Sequence, residues 1–173
     1  MSIDQDNQDL VKRVTEATLK AISARDDVEV TFAPGGHGIL NTPDGIEATL
    51  PSPARQIDKQ DLYVLRGEAD TAALRLRYHN PEVFGKQRPR ESISSQLFDT
   101  AEQARVEALG CRLLAGVASN LREFQEVNCR ERGHHLVSER DDSQISDAVG
   151  LILREKLTGE PAPASSQPLV RLW

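Results

Sequence analysis

Val28-Glu29-Val30-Thr31-Phe32 decides the fold class, because apolar and polar residues alternate along it. A period of two is the pattern of a half-buried strand. Ile46-Glu47-Ala48-Thr49-Leu50 alternates in the same way. Between the two runs lie Pro34-Gly35-Gly36 and Pro43-Asp44-Gly45, residues that supply turn conformations. The two runs read as a two-stranded hairpin with a long, mobile loop. A lone hairpin is marginal in water, so this one must pack on helices.

On either side the period is helical. Residues 7–24 place Leu10, Val14, Ala17 and Ala21 on one stripe, widened by Val11, Thr18 and Ile22, and that stripe is expected to be buried. Residues 58–79 form a second helix with Leu62, Leu65, Ala69, Ala72 and Leu76 on its core face. Asn80-Pro81 stops it, since the residue before proline avoids the helical region. Phe84 to Glu91 reads as a basic loop containing Lys86, Arg88 and Arg90. The longest helix spans 94–129, where Leu97, Ala101, Ala104, Ala108, Cys111, Ala115 and Ala118 repeat at four and three. So small a face lets another helix approach closely, or suits packing against a second copy of the chain. Gly110 and Gly116 weaken that helix and call for a packing contact or a kink. A last helix covers 144–158, and Gly159 is a plausible stop. The Pro- and Ser-bearing tail, 160–173, reads as a linker or docking segment that leads into something longer. The fold class expected is α+β and mainly helical: about four helices, with one β-hairpin packed on a long helix pair, over residues 1–159.

Composition narrows the function. The 173 residues carry a net charge of −6, against the basic face by which most proteins bind nucleic acid. No run of eighteen apolar residues exists, and the polar, acidic MSIDQDNQDL start is no secretory signal. A cytoplasmic protein is expected, with Cys111 and Cys129 as free thiols.

Charged residues accompany two of the apolar stripes. Arg66, Asp70 and Arg77 follow one helix, and Glu102 and Arg105 another. Charges so near a core need partners, so an ion-pair network is the plainer reading and a partner-binding surface the functional one. Glu107 lies five residues from Glu102, on a different helix face, and is discounted as half of a catalytic pair. Among the histidines, His37 sits in a glycine-rich stretch that lacks the phosphate-loop ending. His79 sits at a helix end. His134 and His135 are adjacent in a polar segment near Cys129, Glu131 and Glu139. A metal-binding or hydrolase-like domain using His79, His134 and His135 is the alternative reading, although their spacing fits no common zinc site. No nucleophile-elbow serine is present.

Four segments carry a resemblance. Val28 to Ala33 (VEVTFA), Arg66 to His79 (RGEADTAALRLRYH), Phe98 to Gly110 (FDTAEQARVEALG) and Gly116 to Leu121 (GVASNL) resemble, in order and spacing, segments of cobaltochelatase T subunits. The resemblance covers about Leu10 to Thr158. It implies an accessory or assembly region of an ATP-dependent complex that inserts Co(II) into hydrogenobyrinic acid a,c-diamide in cobalamin biosynthesis. The partners implied are a AAA+ ATPase subunit and a large tetrapyrrole-binding subunit. ATP, Mg and Co(II) are implied for the complex, with no cofactor and no catalytic residue on this region. Such subunits typically end in a von Willebrand A domain with a metal-ion-dependent adhesion site. This sequence has no D-x-S-x-S signature, so residues 160–173 are expected to lead toward that domain.

Overall fold

The computed structural model describes residues 3–43 and 45–173, so Asp44 of the expected Pro43-Asp44-Gly45 turn lies outside the described residues. In chain order the elements are α1 (Ile3–Ser23), β1 (Val28–Ala33), β2 (Ile39–Thr42), β3 (Gly45–Pro51), α2 (Lys59–Tyr78), α3 (Pro81–Gln87), α4 (Ser92–Leu113), α5 (Ala115–Glu131), α6 (Ile145–Thr158) and α7 (Gln167–Arg171). Short 3-10 turns occur at His134–Leu136, Asp142–Gln144 and Ala164–Ser166. The mainly helical α+β class holds. The expectation of about four helices does not, because the described residues form seven. The chain divides into two compact units, Met1–Arg77 and Tyr78–Trp173.

In the first unit the two alternating runs are both strands, but they do not form a hairpin. β1 and β3 pair in parallel, with Val28 opposite Ile46 and Phe32 opposite Leu50. Parallel neighbours need a connection that returns to the starting end. β2 supplies the return run, and it pairs antiparallel with the far side of β3, giving a three-stranded mixed sheet of order β1-β3-β2. The loop expected to be mobile therefore holds a strand. Its path is fixed at Gly36, where a Cβ would lie 2.7 Å from the Leu50 carbonyl oxygen, so only glycine fits without displacement.

Val28, Ala48 and Leu50 of the sheet pack with Leu19 of α1 and with Leu65, Ala69, Ala72 and Ala73 of α2. The α2 face was legible in the sequence. The α1 face was not, since Leu10 and Val14 of the expected stripe are 52% and 55% exposed. The buried line is instead Thr15, Leu19 and Ser23, flanked by the half-buried Val11 and Ile22. Both stripes have helical spacing and lie side by side, so periodicity alone cannot choose between them.

In the second unit Asn80 both follows α2 and opens α3: its side-chain oxygen accepts from the Glu82 and Val83 backbone N–H groups, each at 3.1 Å. The expected basic loop is thus partly helical, with Phe84 to Gln87 inside α3. The long helix read over 94–129 is two helices. Leu114 adopts an extended conformation between them, and the two expected weak points lie on either side, Gly110 near the end of α4 and Gly116 near the start of α5.

The small-residue face of α4 is taken by α6. Thr100 meets Gly150, Glu107 pairs with Arg154 and Arg112 reaches the Leu157 carbonyl, so the two helices run in the same direction. Gly150 allows the approach, because a Cβ there would lie 2.9 Å from the Thr100 methyl. The helix face that suggested self-association is therefore used within the chain. Gly159 ends α6 in the left-handed conformation, donating its N–H to Glu155, as expected. The tail folds as well: Ala162 and Leu169 are buried with Cys129, Ala148 and Leu151.

Candidate functional site

Two polar constellations occupy the second unit, and both are built on α4. In the first, Glu102 lies one turn from Arg105, which donates from Nε to Glu102 Oε2 at 2.7 Å and from Nη2 to Oε1 at 2.8 Å. Nη2 also reaches the Tyr78 carbonyl at 2.9 Å. His79 Nδ1 lies 2.8 Å from Glu102 Oε1. A carboxylate only accepts, which places a proton on Nδ1. The imidazole packs edge-on against Phe84, and Phe84 packs on Phe98. Hydrogen bonds from Arg105, and then from His79, hold the Glu102 carboxyl at about 2 against the opposing effect of burial. Glu102 therefore stays ionised through the physiological range.

The second constellation lines a cleft of about 290 Å³ between α4, α5, α6 and the turn at His134. Its floor is the ion pair of Glu107 with Arg154, in which the carboxylate is almost wholly buried. Gln103 donates to Glu107 at 2.8 Å, and the Gln125 carboxamide, with its oxygen turned inward, accepts from the Arg154 guanidinium. Such a pair holds in an interior only when its remaining valences are satisfied in this way. At the rim, His134 Nε2 lies 3.1 Å from Asp147 Oδ2, and Arg132 donates to Asp147 Oδ1 at 2.7 Å. His134 is buried, and its Nδ1 has no partner among the described residues. Cys129 lies on the same wall, where burial, reinforced by the charges of Glu126 and Asp147, pushes its thiol up to about 11. A thiol so placed stays protonated and is a poor nucleophile.

The residues singled out in the sequence separate in space. His79, Glu102 and Arg105 form one cluster. Arg66, Asp70 and Arg77 belong to the other unit. There Asp70 is buried at 3% exposure, Arg66 is exposed, and Arg77 donates to the Ile22 carbonyl at 2.7 Å. Of the histidines offered for a metal, His79 serves Glu102, His134 serves Asp147 and His135 is exposed. Among the described residues no group of three or more His, Cys, Asp and Glu side chains gathers as a metal site. Sequence reasoning missed the Glu107–Arg154 pair, whose members are 47 residues apart. Nothing in local spacing links them. The one clue was a carboxylate adjoining the small-residue face of its helix.

Among the described residues no helix is long and apolar enough to cross a membrane. No solved structure matches the chain. Residues 5–173 match the family described as cobalamin biosynthesis protein CobT, a span that takes in both units and the folded tail.

Proposed function

Since the chain belongs to the CobT family and so has a part in cobalamin biosynthesis, we propose that this part is assembly within an ATP-dependent cobaltochelatase. The complex inserts its substrate Co(II) into hydrogenobyrinic acid a,c-diamide in the cytoplasm. The chain holds a AAA+ ATPase subunit and a large tetrapyrrole-binding subunit in working arrangement, while ATP and Mg act on the ATPase.

The family match carries this reading, and the chemistry of the two constellations supports it. Glu102, held at about 2, has no proton to give near neutral pH, and Cys129, held near 11, has no thiolate to offer. General acid–base work needs a group poised near the working pH. Glu102 is spent on internal bonds instead and Cys129 is buried in the packing, which suits a rigid scaffold. A contact surface is proposed on each unit by itself: Arg66 and Arg77 on α2 in the first, and Arg105 on α4 in the second, all exposed. Asp70 is a buried carboxylate of the first unit, and Glu102 a mostly buried one of the second.

The test is capture of purified ATPase and large chelatase subunits by this chain, with and without ATP. Capture of either subunit, weakened by Arg66→Glu at an exposed position while the fold persists, is the expected result. Capture of neither refutes the assembly role.

A further inference from the structure

The cleft between α4, α5 and α6 has hydrogen-bonding groups that the fold does not use. Its volume of about 290 Å³ lies close to the lower end of small-molecule sites, about 300–1,000 Å³. All of its lining residues belong to the second unit. Ala104, Phe124, Cys129 and Leu151 give it an apolar wall, and all four are buried.

The charges in the cleft are already matched. Glu107 is paired with Arg154, and Asp147 with Arg132. An ion entering the cleft finds no opposite charge left over, and burying an ion without one is costly. The cleft therefore selects against a charged occupant.

The unmatched capacity is of another kind. The Asn128 carboxamide and the Ser146 hydroxyl are half-buried and make no side-chain hydrogen bond among the described residues. Gln103 gives an amide hydrogen to Glu107, but its oxygen has no partner among the described residues. His134 is 3% exposed, and its Nε2 faces Asp147 Oδ2 at 3.1 Å. The carboxylate only accepts, so Nε2 carries a proton, and in the neutral ring the unpartnered Nδ1 is a bare acceptor. Buried acceptors are normally met by a donor. The cleft is thus short of donors at Gln103 and His134, while Asn128 offers an N–H and a C=O side by side. A primary carboxamide answers both conditions. Its C=O and one N–H pair with the Asn128 amide, and its second N–H remains for a bare acceptor.

We propose that this cleft is a binding site for a small neutral ligand with an apolar body and a primary carboxamide. The carboxamide pairs with Asn128 and gives its second N–H to the Gln103 oxygen, and the body lies against Phe124 and Leu151. The inference stands apart from the assembly reading.

The test follows backbone amide shifts in proton–nitrogen correlation NMR spectra of the whole chain as benzamide is added. Saturable shifts confined to the cleft-lining stretches of α4, α5 and α6 are expected, in the millimolar range that suits so small a ligand. Benzoate and benzamidine carry an anionic or a cationic head on the same body, and bind at least about tenfold more weakly. Toluene, which has no polar head, also binds about tenfold more weakly. Asn128→Asp keeps the shape of the side chain but replaces its donor with an acceptor. That change lowers the affinity for benzamide about tenfold and raises that for benzamidine, a reversal that a merely structural role of Asn128 does not produce. The ligand series is read on the parent chain, so it decides the matter even where the variant fails to fold. Absence of saturable shifts overturns the proposal. So does benzoate or toluene binding as tightly as benzamide, or benzamide binding that Asn128→Asp leaves unchanged. Subunit capture plays no part in these outcomes, so this inference and the assembly reading fail separately.

Discussion

His79 and Glu102, separated by twenty-three residues, meet at 2.8 Å with both side chains largely buried, and Arg105 closes the arrangement from the other side of the carboxylate. The Glu102 carboxyl falls from an ordinary 4.5 to about 2. Because the folded value lies below the unfolded one, the stabilisation is complete above about 4.5 and is lost as the pH falls toward 2. Glu102→Gln is expected to cost about 1–2 kcal/mol at pH 7, a figure reduced for the exposure of Arg105. It also flattens the acid limb of the stability curve between those two values. Urea denaturation across pH 2–6 checks both effects.

Breaking the Glu107–Arg154 pair from one side leaves a buried charge without its partner. Arg154→Met alone is expected to cost about 3–5 kcal/mol, and Glu107→Leu with Arg154→Met together much less. A double-mutant cycle from denaturant midpoints measures the coupling. Costs that simply add would show that the two side chains act independently.

Cys129 should resist alkylation in the native protein. With its thiol near 11, the thiolate is scarce at pH 8 and the side chain is buried. Iodoacetamide labelling followed by peptide mass spectrometry should modify the half-buried Cys111 well before Cys129. Denaturant should bring the two rates together.

The two stripes of α1 can be told apart by stability. Leu19, with no exposed surface, should cost about 2–5 kcal/mol when changed to alanine. Leu10, half exposed, should stay within about 0.5 kcal/mol. Equal costs would return the burial to the stripe first expected.

Local chemistry made much of the fold legible. The period of two at Val28–Phe32 and Ile46–Leu50 marked real strands, and the core face of α2, the Asn80-Pro81 boundary and the Gly159 stop all lie where spacing and capping put them. Those features depend on neighbours within about four residues, so the sequence alone determines them. The carrier of the family resemblance was legible in the same way, as four segments in order.

Tertiary packing decided the rest. Whether two strands pair in parallel or as a hairpin depends on the route between them, and the short β2, inserted beyond β3, settled it. Which of two adjacent apolar stripes on α1 is buried depends on the surface it meets. The seating of α6 on α4 through Gly150 and the union of Glu107 with Arg154 both bring together residues far apart in the chain. For contacts of that kind the free energy lies in shared burial and paired charge, to which spacing along one segment carries no reference.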